Sequence, residues 1–226
     1  SARPRSLTEP TATVSGLVSC TKPLLSRLAG DTRPLASRMP RFSLAAAASA
    51  FLVLGMAFIY AEAGTLSFHT LSRMLIRPES LRSAYILVGA GLIIVGAGFK
   101  LGVVPFHMWT PDVYQGSSSP VTAFIASVSK TAMVAFLIRF LLYIDLDNAP
   151  ILLFVISAIS LLSMLVGNLL AITQNNLKRL LAYSSIAHLG YILVGLVSYG
   201  ARAIEAVIFY ITVYSLTIIG AFGMVA

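Results

Sequence analysis

Gly96–Lys130 reads GAGFKLGVVPFHMWTPDVYQGSSSPVTAFIASVSK, and the rest of the chain is organised around it. It places Lys100 in one long apolar segment and Lys130 in the next, joined by a connection rich in Pro, Gly and Ser. An ionised lysine at the bilayer centre costs about 2.5–3.5 kcal/mol on insertion scales, so a lysine kept there points to function. Pro105 interrupts the first segment, because it has no N–H to offer the carbonyl of Leu101. A helix loosened beside a buried cation is a common arrangement in ion-translocating membrane proteins.

Outside this stretch the composition is that of a membrane protein. Of 226 residues, 58% are hydrophobic and 11% charged, and the mean hydropathy is +0.89, far from an ordinary soluble domain. The net charge of +8 is concentrated at one end. Arg3, Arg5, Lys22, Arg27, Arg33, Arg38 and Arg41 face only Glu9 and Asp31, a net +5 within residues 1–41. Such a basic flank argues for a membrane neighbour and against nucleic acid as a partner. Cys20 is the single cysteine, which excludes an internal disulfide and any cysteine-based metal or iron–sulfur site. His69, His107 and His188 lack metal-ligand spacing, so no metal site is assigned. No phosphate loop and no serine–histidine–acid pattern occurs, and no catalytic residue is assigned.

Residues 1–41 form a basic Ser/Arg/Pro-rich tail, similar in composition to a mitochondrial transit peptide although Glu9, Asp31 and five prolines blur it. The chain starts at Ser1 instead of Met, which suggests a processed or trimmed terminus. Residues 42–226 read as an all-α transmembrane domain, a polytopic helix bundle of about six spans with one broken helix. The spans are placed at Phe42–Ala61, Tyr85 to about Trp109, Val121 to about Tyr143, Ile151 to about Ile172, Leu180–Ser198, and Ala203 to the end. The excess of Lys and Arg puts the tail on the matrix or cytoplasmic side. Tyr60, Trp109, Tyr114 and Tyr143 fall where an interfacial aromatic belt is expected.

Depth follows from counting. Lys100 lies nine residues before Trp109, Lys130 nine after Val121, and His188 nine after Arg179. At about 1.5 Å per residue, each is roughly 14 Å from the same membrane face, near the middle of a core about 30 Å thick. From there a lysine stem does not reach the headgroups. His188 has two readings, a relay group or a neutral histidine bonded to a neighbouring span. Tyr183, Ser184, Ser185, Ser127, Ser129 and Thr131 either support water-mediated proton transfer or join helices by hydrogen bonds. Glu205 and Arg139 lie near span ends and read as interfacial.

GFKLGVVPFHMWTPDVYQGSSSPVTAFIASVSK and NLLAITQNNLKRLLAYSSIAHLGYILVG resemble the antiporter-like membrane subunits of proton-pumping NADH:quinone oxidoreductase, respiratory complex I, of the subunit 2 type. The resemblance covers about residues 42–226. It implies a fold of inverted helix repeats, each with a broken helix, joined by a polar axis at mid-membrane. By the resemblance, Lys100 is the broken-helix lysine, Lys130 the connecting lysine, and His188 continues the axis, with Pro105 at the helix break. It implies a proton-translocating membrane-arm subunit with no redox chemistry in this chain. NADH, FMN, the iron–sulfur clusters and ubiquinone would belong to the complex, with no cofactor bound here.

The implied partners are other membrane-arm subunits of complex I and the lipid bilayer. The implied location is the mitochondrial inner membrane or, alternatively, a bacterial plasma membrane. A complete member of this family has more spans than this chain. The expectation is therefore a fragment, either a split-gene product or part of a longer protein, whose missing spans are supplied by other chains. An acidic partner for Lys100 would come from one of them. Two other functions remain open: a structural fragment of complex I that no longer pumps, and a subunit of the related multisubunit cation/proton antiporters.

Overall fold

A computed structural model describes residues 39–67, 70–71, 83–143, 150–198 and 200–225, with backbone only for 39–46, 143 and 201. Most of the tail lies outside the described residues, as does His69. Helix α1 covers Met39–Ala63 and α2 covers Ala84–Leu101. Two short pieces follow, α3 at Trp109–Gly116 and α4 at Ser119–Phe124. A π-helical turn, Ile125–Ser129, leads directly into α5, Lys130–Tyr143. The remaining helices are α6 (Pro150–Ile172), α7 (Leu177–Val197) and α8 (Ala201–Met224).

Among the described residues, five stretches are long and apolar enough to cross a membrane: Ala84–Leu101, Ser119–Leu142, Pro150–Ile172, Leu177–Val197 and Arg202–Met224. Ala47–Ala63 of α1 adds a shorter apolar helix at the position of the first expected span. No strand occurs among the described residues. A single chain crossing lipid must satisfy its backbone internally, and an all-helical bundle does so.

Two antiparallel pairs frame the bundle, α1 against α2 and α6 against α7. Both pairs close on glycine. A Cβ on Gly89 would lie 2.9 Å from the Gly55 carbonyl, and one on Gly55 would lie 2.7 Å from the Gly89 carbonyl. A Cβ on Gly167 would come within 2.7 Å of the Ala187 nitrogen. Helices in lipid associate through such close packing, since lipid tails remove the hydrophobic drive between them. The glycines of α2 therefore serve helix contact as much as they thin the segment.

Helix α7 lies at the centre, with residues from Ala182 to Leu196 buried on most sides. It packs on α6, α3 and α8. Its start is fixed by Asn176, whose side chain accepts the backbone N–H groups of Lys178 and Arg179. Helix α8 closes the far side, packing on α4 and on the π-helical turn. By contrast, α6 leaves Phe154, Leu161, Leu165 and Leu169 exposed along its outer face.

The Pro/Gly/Ser-rich connection is more ordered than the sequence suggests. The second span does not run on to Trp109; α2 ends at Leu101, and the chain resumes as a helix only at Trp109. The stop comes three residues before Pro105, at Gly102, which adopts φ 74° and donates its N–H to the carbonyls of Gly98 and Phe99. Only glycine takes up this left-handed cap without steric cost. Tyr114 of α3 is fully buried, so it is no part of an aromatic belt. The indole N–H of Trp109 turns back to the Phe99 carbonyl at 2.9 Å.

Candidate functional site

The break between α2 and α3 exposes backbone groups that a continuous helix would pair internally. Several are taken up by neighbours. The Val103 N–H donates to the Gly98 carbonyl at 3.1 Å, and the Val104 N–H donates to Ser163 Oγ of α6 at 3.0 Å. The Val104–Pro105 peptide is cis. Two buried polar atoms in this segment, His107 Nδ1 and Thr110 Oγ1, have no hydrogen-bond partner among the described residues.

Beyond the break, α3 is tied to the start of α7 by a polar cluster at one end of the bundle. Arg179 donates to Asp112 Oδ1 at 2.8 Å, to Gln115 Oε1 at 3.0 Å and to Gln174 Oε1 at 3.2 Å. Lys178 Nζ reaches the Ser117 carbonyl at 3.1 Å. This cluster holds α3 where Tyr114 points into the bundle.

Lys130 sits inside, 1% exposed, at the junction of the π-helical turn and α5. Single π turns inside helices recur at functional sites because they re-aim the following side chain. The turn is held on its α8 side by Thr131, whose Oγ1 lies 2.9 Å from the Ser127 carbonyl and 2.9 Å from Ser215 Oγ. Lys130 Nζ donates to Ser185 Oγ of α7 at 2.6 Å and lies 5.4 Å from the centre of the Tyr114 ring. Ser185 Oγ in turn hydrogen-bonds the Tyr214 hydroxyl of α8 and lies 3.4 Å from the Tyr114 hydroxyl.

These contacts are of the right size to keep a lysine inside. A hydrogen bond to a charged group is worth about 1.5–3 kcal/mol and a desolvated cation–π contact about 0.5–2 kcal/mol. Together they roughly offset the insertion cost of about 2.5–3.5 kcal/mol. No described carboxylate pairs with Lys130, and hydroxyls and a ring face take that role.

His188, one helical turn after Ser185 on α7, continues the cluster. Its Nδ1 lies 2.6 Å from the Tyr210 hydroxyl, and its ring centre lies 5.5 Å from that of Tyr214. Lys130 and His188 thus meet around one face of α8, where Tyr210 and Tyr214 stand a turn apart. Lys100 is elsewhere. It lies in the last turn of α2, exposed on the outside of the chain, with no hydrogen bond or ion pair to any described residue.

Tyr114, Tyr210 and Tyr214 are the functional candidates that the sequence did not single out in this role. For the α8 pair a signal existed: the i, i+4 spacing in FYITVYS puts two phenols on one face of an otherwise apolar span. A phenol buried there needs a hydrogen-bond partner. Of the hydroxyls named from sequence, Ser185 joins the cluster and Thr131 braces it, while Ser127 bonds back within its own helix by donating to the Ala123 carbonyl.

Comparison with known proteins gives a consistent result. The family described as NADH:quinone oxidoreductase/Mrp antiporter, TM, matches residues 15–226. NADH-quinone oxidoreductase subunit N of Psychrobacter arcticus is 46% identical over 194 residues, covering 86% of this chain and 39% of that protein. Among solved structures, respiratory complex I from Thermus thermophilus matches with TM-score 0.67 and 38% identity, over 84% of this chain and 39% of the other. The Mrp complex from Dietzia matches with TM-score 0.72 and 26% identity, over 83% and 34%. An archaeal membrane-bound sulfane sulfur reductase matches with TM-score 0.70 and 27% identity, over 81% and 37%. The chain therefore spans 39% of the length of that Psychrobacter relative.

Proposed function

Because this multi-pass membrane chain belongs to the NADH:quinone oxidoreductase/Mrp antiporter membrane family, we propose that it is a proton-translocating membrane-arm subunit of a complex I-type enzyme. Protons pass laterally by way of Lys100, Lys130 and His188. The redox chemistry belongs to other subunits, which carry NADH, FMN, iron–sulfur clusters and ubiquinone. The observation that carries this reading is Lys130, buried in an apolar bundle with hydroxyls for partners and His188 on the same cluster. An apolar side chain would fill the same space, whereas an exchangeable proton requires the amine.

Lys100 takes its counter-charge from outside the described residues. Exposed on α2 and unpaired there, it is suited to an acidic side chain from a neighbouring membrane segment. Partners are accordingly other membrane-arm chains, in the mitochondrial inner membrane or a bacterial plasma membrane. The likeness to an Mrp complex favours a second reading, a subunit of a multisubunit cation/proton antiporter. Co-purification with flavin and iron–sulfur subunits separates the two.

Lys130→Met keeps volume and apolarity and removes the exchangeable proton. In the assembled complex it should lower quinone-linked turnover and proton pumping about tenfold or more, the scale of a lost proton-transfer group. Unchanged turnover and an unchanged proton gradient in an assembled Lys130→Met complex would overturn the proposal.

A further inference from the structure

A buried amine that gains and loses a proton must be held in both states, or one state carries an unsatisfied polar group. The surroundings of Lys130 meet this requirement through one side chain. Ser185 is fully buried, and its Oγ has three polar neighbours: Lys130 Nζ at 2.6 Å, the Tyr214 hydroxyl, and the Tyr114 hydroxyl at 3.4 Å. A serine hydroxyl offers one donor and two acceptor sites, matching those three neighbours.

With Lys130 as ammonium, Nζ donates to Ser185, which donates to one phenol and accepts from the other. With Lys130 as neutral amine, the Ser185 O–H turns to donate to the nitrogen lone pair, and both phenols donate to Ser185. All three contacts persist in each arrangement. Only hydroxyl hydrogens rotate, no heavy atom moves, and Ser185 neither gains nor loses a proton. Asparagine or a carboxylate at this position would favour one state, since neither reverses between donor and acceptor at a single atom.

We propose that Ser185 is the reversible hydrogen-bond partner that holds the Lys130 amine in both protonation states, with Tyr114 and Tyr214 as positioning residues that complete its hydrogen bonding. The proposal rests on the proton-translocating reading of Lys130 given above. Three helices contribute to the arrangement besides that of Lys130: α7 through Ser185, α3 through Tyr114, and α8 through Tyr214. The titratable groups facing the site are Tyr114 from α3, His188 from α7, and Tyr210 and Tyr214 from α8.

The test uses the assembled complex in its native membrane, with quinone-linked turnover measured from acid to alkaline pH. Ser185→Ala should lower turnover roughly tenfold and displace its pH profile by roughly one unit, because the ammonium loses a stronger hydrogen bond than the neutral amine does. Ser185→Thr, which keeps the hydroxyl, should restore both. Ser185→Ala with the parent rate and pH profile overturns the proposal. So does a loss of rate without displacement of the profile, unrelieved by Thr, which marks a packing role. Should Ser185→Ala not assemble, the Tyr114→Phe/Tyr214→Phe double variant decides: a displaced profile supports the proposal and the parent profile overturns it. Lys130→Met in parallel keeps the two conclusions apart. If Lys130→Met leaves turnover unchanged, the relay reading fails; if it abolishes turnover while Ser185→Ala has no effect, only the present proposal fails.

Discussion

Replacing Ser163 by Ala tests how the broken helix is held. Ser163 is fully buried on α6, and its Oγ accepts the Val104 N–H at 3.0 Å while donating to the Ile159 carbonyl at 2.6 Å. The second bond fixes the hydroxyl hydrogen and leaves a lone pair aimed at Val104. In Ser163→Ala, α6 itself loses little, because Ala is the better helix former and the Ile159 carbonyl keeps its place in the helix ladder. Val104 N–H, in contrast, loses its partner in a buried setting. An unsatisfied buried donor costs about 1–3 kcal/mol, so the break should open about 5–150 times more readily. The measurement is hydrogen exchange on a peptide spanning residues 102–108, in the complex reconstituted in lipid discs. Exchange in that peptide should accelerate by this factor while peptides from the middle of α6 and α7 stay at parent rates. Parent-like exchange at Val104 in an assembled Ser163→Ala complex would refute the account of how the break is satisfied.

Gly89→Leu should prevent close approach of α1 and α2, because its Cβ would already lie 2.9 Å from the Gly55 carbonyl, and the amount of assembled subunit on native gels should fall sharply. Gly91→Ala, with nothing within 4 Å of the added carbon, should assemble at parent levels. Lys100→Ala should impair pumping with assembly intact, and a structure of the whole complex should place an acidic side chain within about 4 Å of Lys100 Nζ. Normal pumping by an assembled Lys100→Ala complex would remove that residue from the relay. His188→Met should reduce quinone-linked turnover less than Lys130→Met, because His188 is only half-buried and keeps phenols around it; the reverse order would mean that His188 is the tighter constriction.

The two proposals differ in how far they depend on neighbouring chains. The hydroxyl cluster at Lys130 is complete within this chain, from α3, α7 and α8. Lys100 lies on an outer face, and its electrostatics are fixed by whatever packs against α2. Variants at Ser185 therefore report on this chain alone, and variants at Lys100 report on the assembly.

By itself the sequence determined the helical spans and how far along them Lys100 and Lys130 lie. Uncharged runs such as Pro150–Ile172 leave water as helices because no other single segment satisfies its backbone in lipid. Lys130, nine residues into such a run, had no headgroup in reach, so counting set its depth. Lys100, placed by the same count, is exposed on this chain, since depth along a helix says nothing about which side of it meets protein. Hydropathy cannot make that distinction, as lipid tails and packed side chains are equally apolar.

Tertiary structure alone also decided the fate of WTPDVYQG. Its polar residues read as a surface connection. Anchored by Arg179 to Asp112 and Gln115, however, it folds back as α3 and buries Tyr114 beside Lys130. The same holds for Ser185, one of several span hydroxyls in the sequence, which becomes the partner of Lys130 only because α3, α5, α7 and α8 converge there. A hydroxyl's local sequence is the same whether it bonds back to its own helix, as Ser127 does, or faces a buried amine; the packing of distant helices sets which of the two it does.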